Sequence, residues 1–136
     1  MGMNLPELPK VNRKKEASFG LKFRKWWVKH GMNAPYELKD SCGKDSIPFS
    51  AVTFEQIAFA LSAKSSKGVL IRVEKGTPGS PDYVGFRNSP AWFVIHYPKC
   101  FEVIDAEVFV MEKEKSKRKS LTAIRAKELS AISIKL

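Results

Sequence analysis

Glu37 and Lys39 lie one residue apart in the segment Ala34 to Asp40, whose composition predicts a strand with Pro35 at its start or on an edge. On a strand, side chains two apart leave the same face, so this pair stands together while Tyr36 and Leu38 face a core on the other side. A carboxylate beside an ammonium suits metal-assisted phosphodiester hydrolysis. Glu37 can ligate magnesium, and Lys39 can orient or activate water and steady charge on the phosphate. In a chain with 28% charged residues the same triplet also reads as a solvated strand face or a surface ion pair of small worth. Its context is more specific: it is the only Glu-x-Lys in the sequence, and it precedes Ile47-Pro48-Phe49, a helix carrying Gln56, and Gly68 leading into a strand.

The body that must position these groups is small and basic. At 136 residues the chain has room for one ordinary core, here read as residues 13–136 behind an arm at 1–12 that carries two prolines and no periodicity. Lys and Arg number 24 against 14 Asp plus Glu, a formal net charge of +10. Such a surface attracts polyanions, and nucleic acid is the commonest, because every phosphate neutralised releases a condensed counterion. No apolar run reaches the roughly 20 residues of a membrane span, and the first fifteen residues lack a signal-peptide apolar segment, so no membrane partner and a cytoplasmic setting are expected. Cys42 and Cys100 have no CxxC or Cys/His cluster around them, which points to reduced structural thiols.

Helix and strand periods supply the frame. Phe19, Phe23 and Trp27 recur at four-residue steps between Lys14 and His30, with Gly31 placed to end the helix and Glu16 on the same stripe. Ser41 to Ser46 reads as a loop; Thr53 caps a helix whose face is Phe54, Ile57, Ala58 and Leu61, running to the turn at 65 to 68. Strands are expected at Val69 to Glu74, Asp82 to Arg87 and Ala91 to Tyr97 in an antiparallel arrangement, which with the Glu37 strand makes a sheet of about four. Asp105 caps a helix through Glu114 and Ser120 another to about Leu129, with Lys115, Lys117, Arg118 and Lys119 between them. The fold class expected is therefore α/β, with flanking helices and a helical, basic C-terminal segment.

The block YELKDSCGKDSIPFSAVTFEQIAFAL resembles the Holliday junction resolvases of the restriction-endonuclease-like, PD-(D/E)xK nuclease superfamily, especially the recombination U type, over roughly residues 14 to 98. In that family a first helix supplies a glutamate, a strand supplies Glu-x-Lys, a Pro-hydrophobic pair follows a short loop, and the next helix presents a glutamine. Glu16, Glu37, Lys39, Pro48-Phe49 and Gln56 match in order. The resemblance implies a small restriction-endonuclease-like domain that cuts branched DNA as a homodimer with magnesium, or manganese in its place. The metal would be held by Glu16, Glu37 and the backbone carbonyl of Leu38, with Gln56 and Lys39 completing the catalytic set. Two-fold symmetry suits paired incisions in the related strands of a four-way junction.

One part of the family pattern is missing. The aspartate usual on the strand before Glu-x-Lys has no counterpart, because only residues 31 to 36 lie between the first helix and Glu37. Asp40 falls on the opposite strand face from Glu37, whereas Asp45 in the following loop, or Asp82 on a strand pairing alongside, are replacements. Arg13, Lys14 and Lys15 join Lys115, Lys117, Arg118 and Lys119 as DNA-backbone contacts, and nothing marks sequence-specific base reading. His30 and His96 read as a helix-end group and a core residue, and Trp26, Trp27 and Trp92 as core more than as stacking platforms. The competing classes are a DNA-binding protein of the same fold without cleavage, and an RNA-binding accessory protein.

Overall fold

A computed structural model describes residues 23–25, 27–29, 34–73 and 82–136. It is a mixed α/β structure built on a four-stranded mixed sheet with two small two-stranded sheets beside it. The first helix, α1, is described at residues 23–25 and 27–29. Phe23 and Trp27, four apart and so on one helix face, are both buried. The Trp27 indole N–H donates to the Ala34 carbonyl (3.2 Å), which ties this helix to the entrance of the first strand. Phe19, Trp26, His30, Gly31 and the arm at 1–12 lie outside the described residues.

The central sheet has the order β1-β5-β6-β8, with β1 at Tyr36–Asp40, β5 at Trp92–Tyr97, β6 at Cys100–Asp105 and β8 at Ile132–Lys135. β1 runs parallel to β5, Glu37 opposite Phe93 and Lys39 opposite Ile95. The pairs β5–β6 and β6–β8 are antiparallel. β5 is central because its apolar run covers both faces: Phe93, Ile95 and Tyr97 enter one cluster, and Val94 the other. Phe23 and Trp27 close over Val94, Phe101, Val103, Ile132 and Ile134 on one side, with Tyr36 and Leu38 packed against them. On the other side Phe109 and Ala126 bring down two further helices. These are α3 (Ala106–Lys115) and α4 (Ala123–Leu129).

The remaining elements connect this frame. After β1, the strand β2 (Ser46–Pro48) pairs antiparallel with β7 (Ser120–Thr122), and a 3-10 turn at Phe49–Ala51 leads to helix α2 (Phe54–Lys64). β3 (Val69–Val73) and β4 (Asp82–Phe86) form an antiparallel hairpin of their own. Gly68, at its foot, has φ +76°, and a Cβ there would stand 2.6 Å from the Phe86 carbonyl oxygen, so only glycine fits. Lys64 at the end of α2 pairs with Asp105, whose carboxylate also caps α3 by accepting from the Glu107 and Val108 N–H groups. No helix among the described residues is long and apolar enough to cross a membrane.

Several sequence expectations are corrected. The hairpin strands expected in the main sheet pair only with each other among the described strands, and β6 and β8 take their places. β6 escaped the pattern because a carboxylate interrupts its apolar run. Glu102 is fully buried, accepting hydrogen bonds from the Ser130 and Ser133 hydroxyls at 2.5 Å each. The C-terminal segment is not wholly helical: Ser120 begins β7, the cap of α4 is Thr122, which accepts from Arg125 N–H (3.2 Å), and β8 follows. Asp105 does cap its helix as expected, and His96 and Trp27 are buried as expected.

The same core holds two groups against ionisation. Burial, reinforced by the neighbouring Glu102 charge, pushes the Cys100 thiol from an ordinary value of 9.0 up to about 12. Burial likewise raises the Tyr97 phenol, whose O–H donates to the Leu121 carbonyl (2.9 Å). Between these two thiol values the unfolded chain has lost a proton that the folded chain keeps, so stability is complete below about pH 9 and declines as pH rises toward the folded value. Urea midpoints measured from pH 8 to 11 are expected to fall, and to fall less in Cys100→Ala. Parallel profiles for the two proteins would refute the assignment to this thiol.

Candidate functional site

β1 is an edge strand: among the described residues it pairs with β5 alone. The bonds flanking its ladder are Trp92 N–H to the Pro35 carbonyl (3.1 Å) and Ser41 N–H to the His96 carbonyl (2.9 Å). In a parallel ladder alternate residues bond to one neighbour, so odd-numbered residues of β1 serve β5. The N–H and C=O of Leu38 therefore point to the open edge. That carbonyl is the oxygen that the family resemblance implies as a metal donor.

The side chains on the Glu37 face converge. Lys39 Nζ is 3.6 Å from Glu37 Oε1, with the two side chains 20% and 40% exposed respectively. Across from them α2 begins with a reciprocal cap: Gln56 N–H donates to Thr53 Oγ1 (3.2 Å), and Thr53 N–H donates to Gln56 Oε1 (2.9 Å). A backbone N–H can only donate, so this cap fixes which end of the Gln56 amide faces back along the helix. The other end, Nε2, donates to Glu37 Oε1 (2.8 Å). One residue thus closes a helix terminus and holds the carboxylate in place. Glu37, Lys39 and Gln56, chosen from sequence, meet at one point.

Beside them lies a cavity of about 210 Å³ between β1, β5 and α2. Glu37 and Gln56 line it together with Tyr36, Phe59, Trp92 and Phe93. No motif in the sequence marks this space. Its signal in the sequence is distributed over three elements and appears only when β5 pairs with β1.

Other candidates fall elsewhere. Glu16, Arg13, Lys14 and Lys15 lie outside the described residues. Asp40 turns away from Glu37, as its parity requires, and its Oδ1 meets His96 Nδ1 (3.1 Å) and Cys42 N–H (2.8 Å). Asp45 is exposed in the loop after β1, where its backbone carbonyl accepts from Ala123 N–H (2.7 Å). Asp82 sits on β4, which does not pair with β1, so the condition attached to it is not met. Among the described residues no group of three or more His, Cys, Asp or Glu side chains is arranged to hold an ion.

Lys115, Lys117, Arg118 and Lys119 are exposed at the turn between α3 and β7. A second hollow, about 310 Å³, is lined there by Ser116, Lys117, Arg118, Thr122 and Arg125. Arg125 was not singled out from sequence; hydrogen bonds to Glu112 (2.9 Å) and Glu128 (2.7 Å) hold its guanidinium still more firmly in the charged form. Comparison of the chain with protein-family models, with curated proteins and with solved structures returned no match.

Proposed function

We propose that this chain is a metal-dependent, structure-selective endonuclease that hydrolyses phosphodiester bonds in branched DNA, such as a four-way junction. The observation that carries the reading is the Glu37 carboxylate held by Gln56 Nε2 at 2.8 Å with Lys39 Nζ 3.6 Å away, on an edge strand. The parallel pair β1–β5, with α2 in the connection between its strands, supports a restriction-endonuclease-like core, which places its cutting residues on such a strand. The basic turn at Lys115 to Lys119 and a net charge of +10 supply the attraction for the DNA backbone.

The donor set fits a hard divalent cation. Glu37 and the edge-facing Leu38 carbonyl are both oxygen donors, and magnesium is commonly held by one or two carboxylates, with waters and substrate phosphate completing its shell. Glu16 is proposed as the second carboxylate. When bound, the ion supplies Lewis acidity to the scissile phosphate and a more acidic water. Lys39 contributes a positive charge at the phosphate and orients the attacking water. Gln56 keeps the Glu37 oxygens aimed and takes no part in bond breaking. A two-fold dimer is proposed to make paired cuts.

The test is cleavage of end-labelled four-way junction, duplex and single-stranded DNA, with and without magnesium or manganese. Metal-dependent cutting confined to the junction supports the proposal. Tight binding with no cutting replaces it with a DNA-binding protein, and a preference for RNA replaces it with an RNA-binding one. Because Gln56 acts through Glu37, Gln56→Ala is expected to raise the magnesium requirement by about 10- to 100-fold and to cost about 1 kcal/mol in helix capping. Cleavage rates titrated against magnesium check this; an unchanged magnesium midpoint would show that Glu37 needs no such support.

A further inference from the structure

The cavity beside Glu37 has a chemistry that phosphate binding does not use. Phe59 of α2 and Phe93 of β5 give it aromatic walls and Glu37 and Gln56 stand at its polar end, while the rings of Tyr36 and Trp92 pack on the opposite face of the sheet. At about 210 Å³ it lies below the roughly 300–1,000 Å³ of pockets for drug-sized ligands. That size suits one planar ring system and is small for a whole nucleotide. A charged phosphate gains nothing from such walls, whereas every nucleobase has a face that stacks on an aromatic ring.

From this we infer that the cavity takes up a single unpaired nucleobase of the DNA strand being cut, adjacent to the scissile phosphate. The inference rests on the nuclease reading of the same site and adds the basis of its substrate choice. The net charge of +10 attracts any DNA backbone, so charge alone does not tell a branch point from duplex. A paired base is held in the duplex stack and must be extruded at a cost of a few kcal/mol, whereas a base at a branch or mismatch is already loosened. A base pocket beside the catalytic carboxylate therefore turns local unpairing into a condition for cutting. Gln56 can donate only one amide hydrogen to Glu37, which leaves its second for the edge of an inserted base.

The experiment places 2-aminopurine at the branch point of a four-way junction, and at a paired position far from it, and follows fluorescence on adding the wild-type protein without metal. Stacking in the cavity is expected to quench the branch-point probe and leave the distant one unchanged. Phe59→Ala is expected to lose that quench and to narrow the preference for junction over duplex by about tenfold, whereas Phe59→Trp keeps both. Thermal melting of each variant separates loss of stacking from loss of fold. No quench in the wild-type complex, or equal quench in Phe59→Ala, overturns the inference even if the junction is cut. A quench without cutting upholds the base pocket and removes the nuclease reading instead.

Discussion

Replacing Glu37 by glutamine, or Lys39 by alanine, is expected to lower metal-dependent junction cleavage by about 10²- to 10⁴-fold while leaving junction affinity largely intact. Glutamine is nearly isosteric with the glutamate, so Gln56 Nε2 still finds an oxygen acceptor where it now bonds Glu37 at 2.8 Å. What disappears is the negative charge, and with it both the metal donor and the partner of Lys39 at 3.6 Å. Lys39→Ala removes the charge that would meet the phosphate but leaves Glu37 in place. The two variants should therefore differ in kind: Glu37→Gln weakens magnesium binding and raises the magnesium needed, and Lys39→Ala lowers the rate at saturating magnesium. Single-turnover rates beside gel-shift affinities measure both. If either variant cuts like the wild type, the strand face is not the site.

The second large effect concerns stability. Phe109→Ala is expected to cost about 3–5 kcal/mol, against a total of about 5–15 kcal/mol for a domain of ordinary stability. Phe109 is buried, and its ring lies 4.9 Å from Phe93 and 5.7 Å from Phe49 in edge-on geometries. It joins α3 to the central strand and to the turn before α2. Truncation leaves a cavity among three elements whose backbones are held by separate pairings and cannot all move inward. Phe54→Ala is the matched control, since Phe54 is 79% exposed and should change stability by no more than about 0.5 kcal/mol. Urea unfolding of both proteins gives the comparison; a Phe109→Ala midpoint equal to that of Phe54→Ala would mean that this core relaxes without a cavity.

The candidate site was more legible in the sequence than the sheet that carries it. Glu37, Lys39 and Gln56 lie within one stretch of twenty residues: strand parity puts the first two on one face, and the resemblance to the resolvases adds Gln56. In sequence the Thr53 cap marks only a helix start, and the second use of Gln56, aiming Nε2 at Glu37, appears only in three dimensions. β6 was missed because Glu102 reads as a surface residue until the Ser130 and Ser133 hydroxyls are seen against it. β3 and β4 read from sequence as strands of the main sheet, because alternation identifies a strand and does not name its partner. The parallel pairing of β1 with β5 joins Tyr36 to Trp92 across 56 positions, a span over which local patterns are silent. The cavity depends on that pairing, so no segment read by itself could reveal it.

The open margin of β1 is also a docking edge for backbone. Tyr36, Leu38 and Asp40 present their backbone donors and acceptors there with no described strand to take them, the arrangement by which sheets recruit an extra strand from another chain. A strand added at that margin would engage the same Leu38 oxygen that is proposed to face the cation. Self-association through this edge and catalysis would then compete for one atom, and crowding the protein would silence it without altering a single side chain.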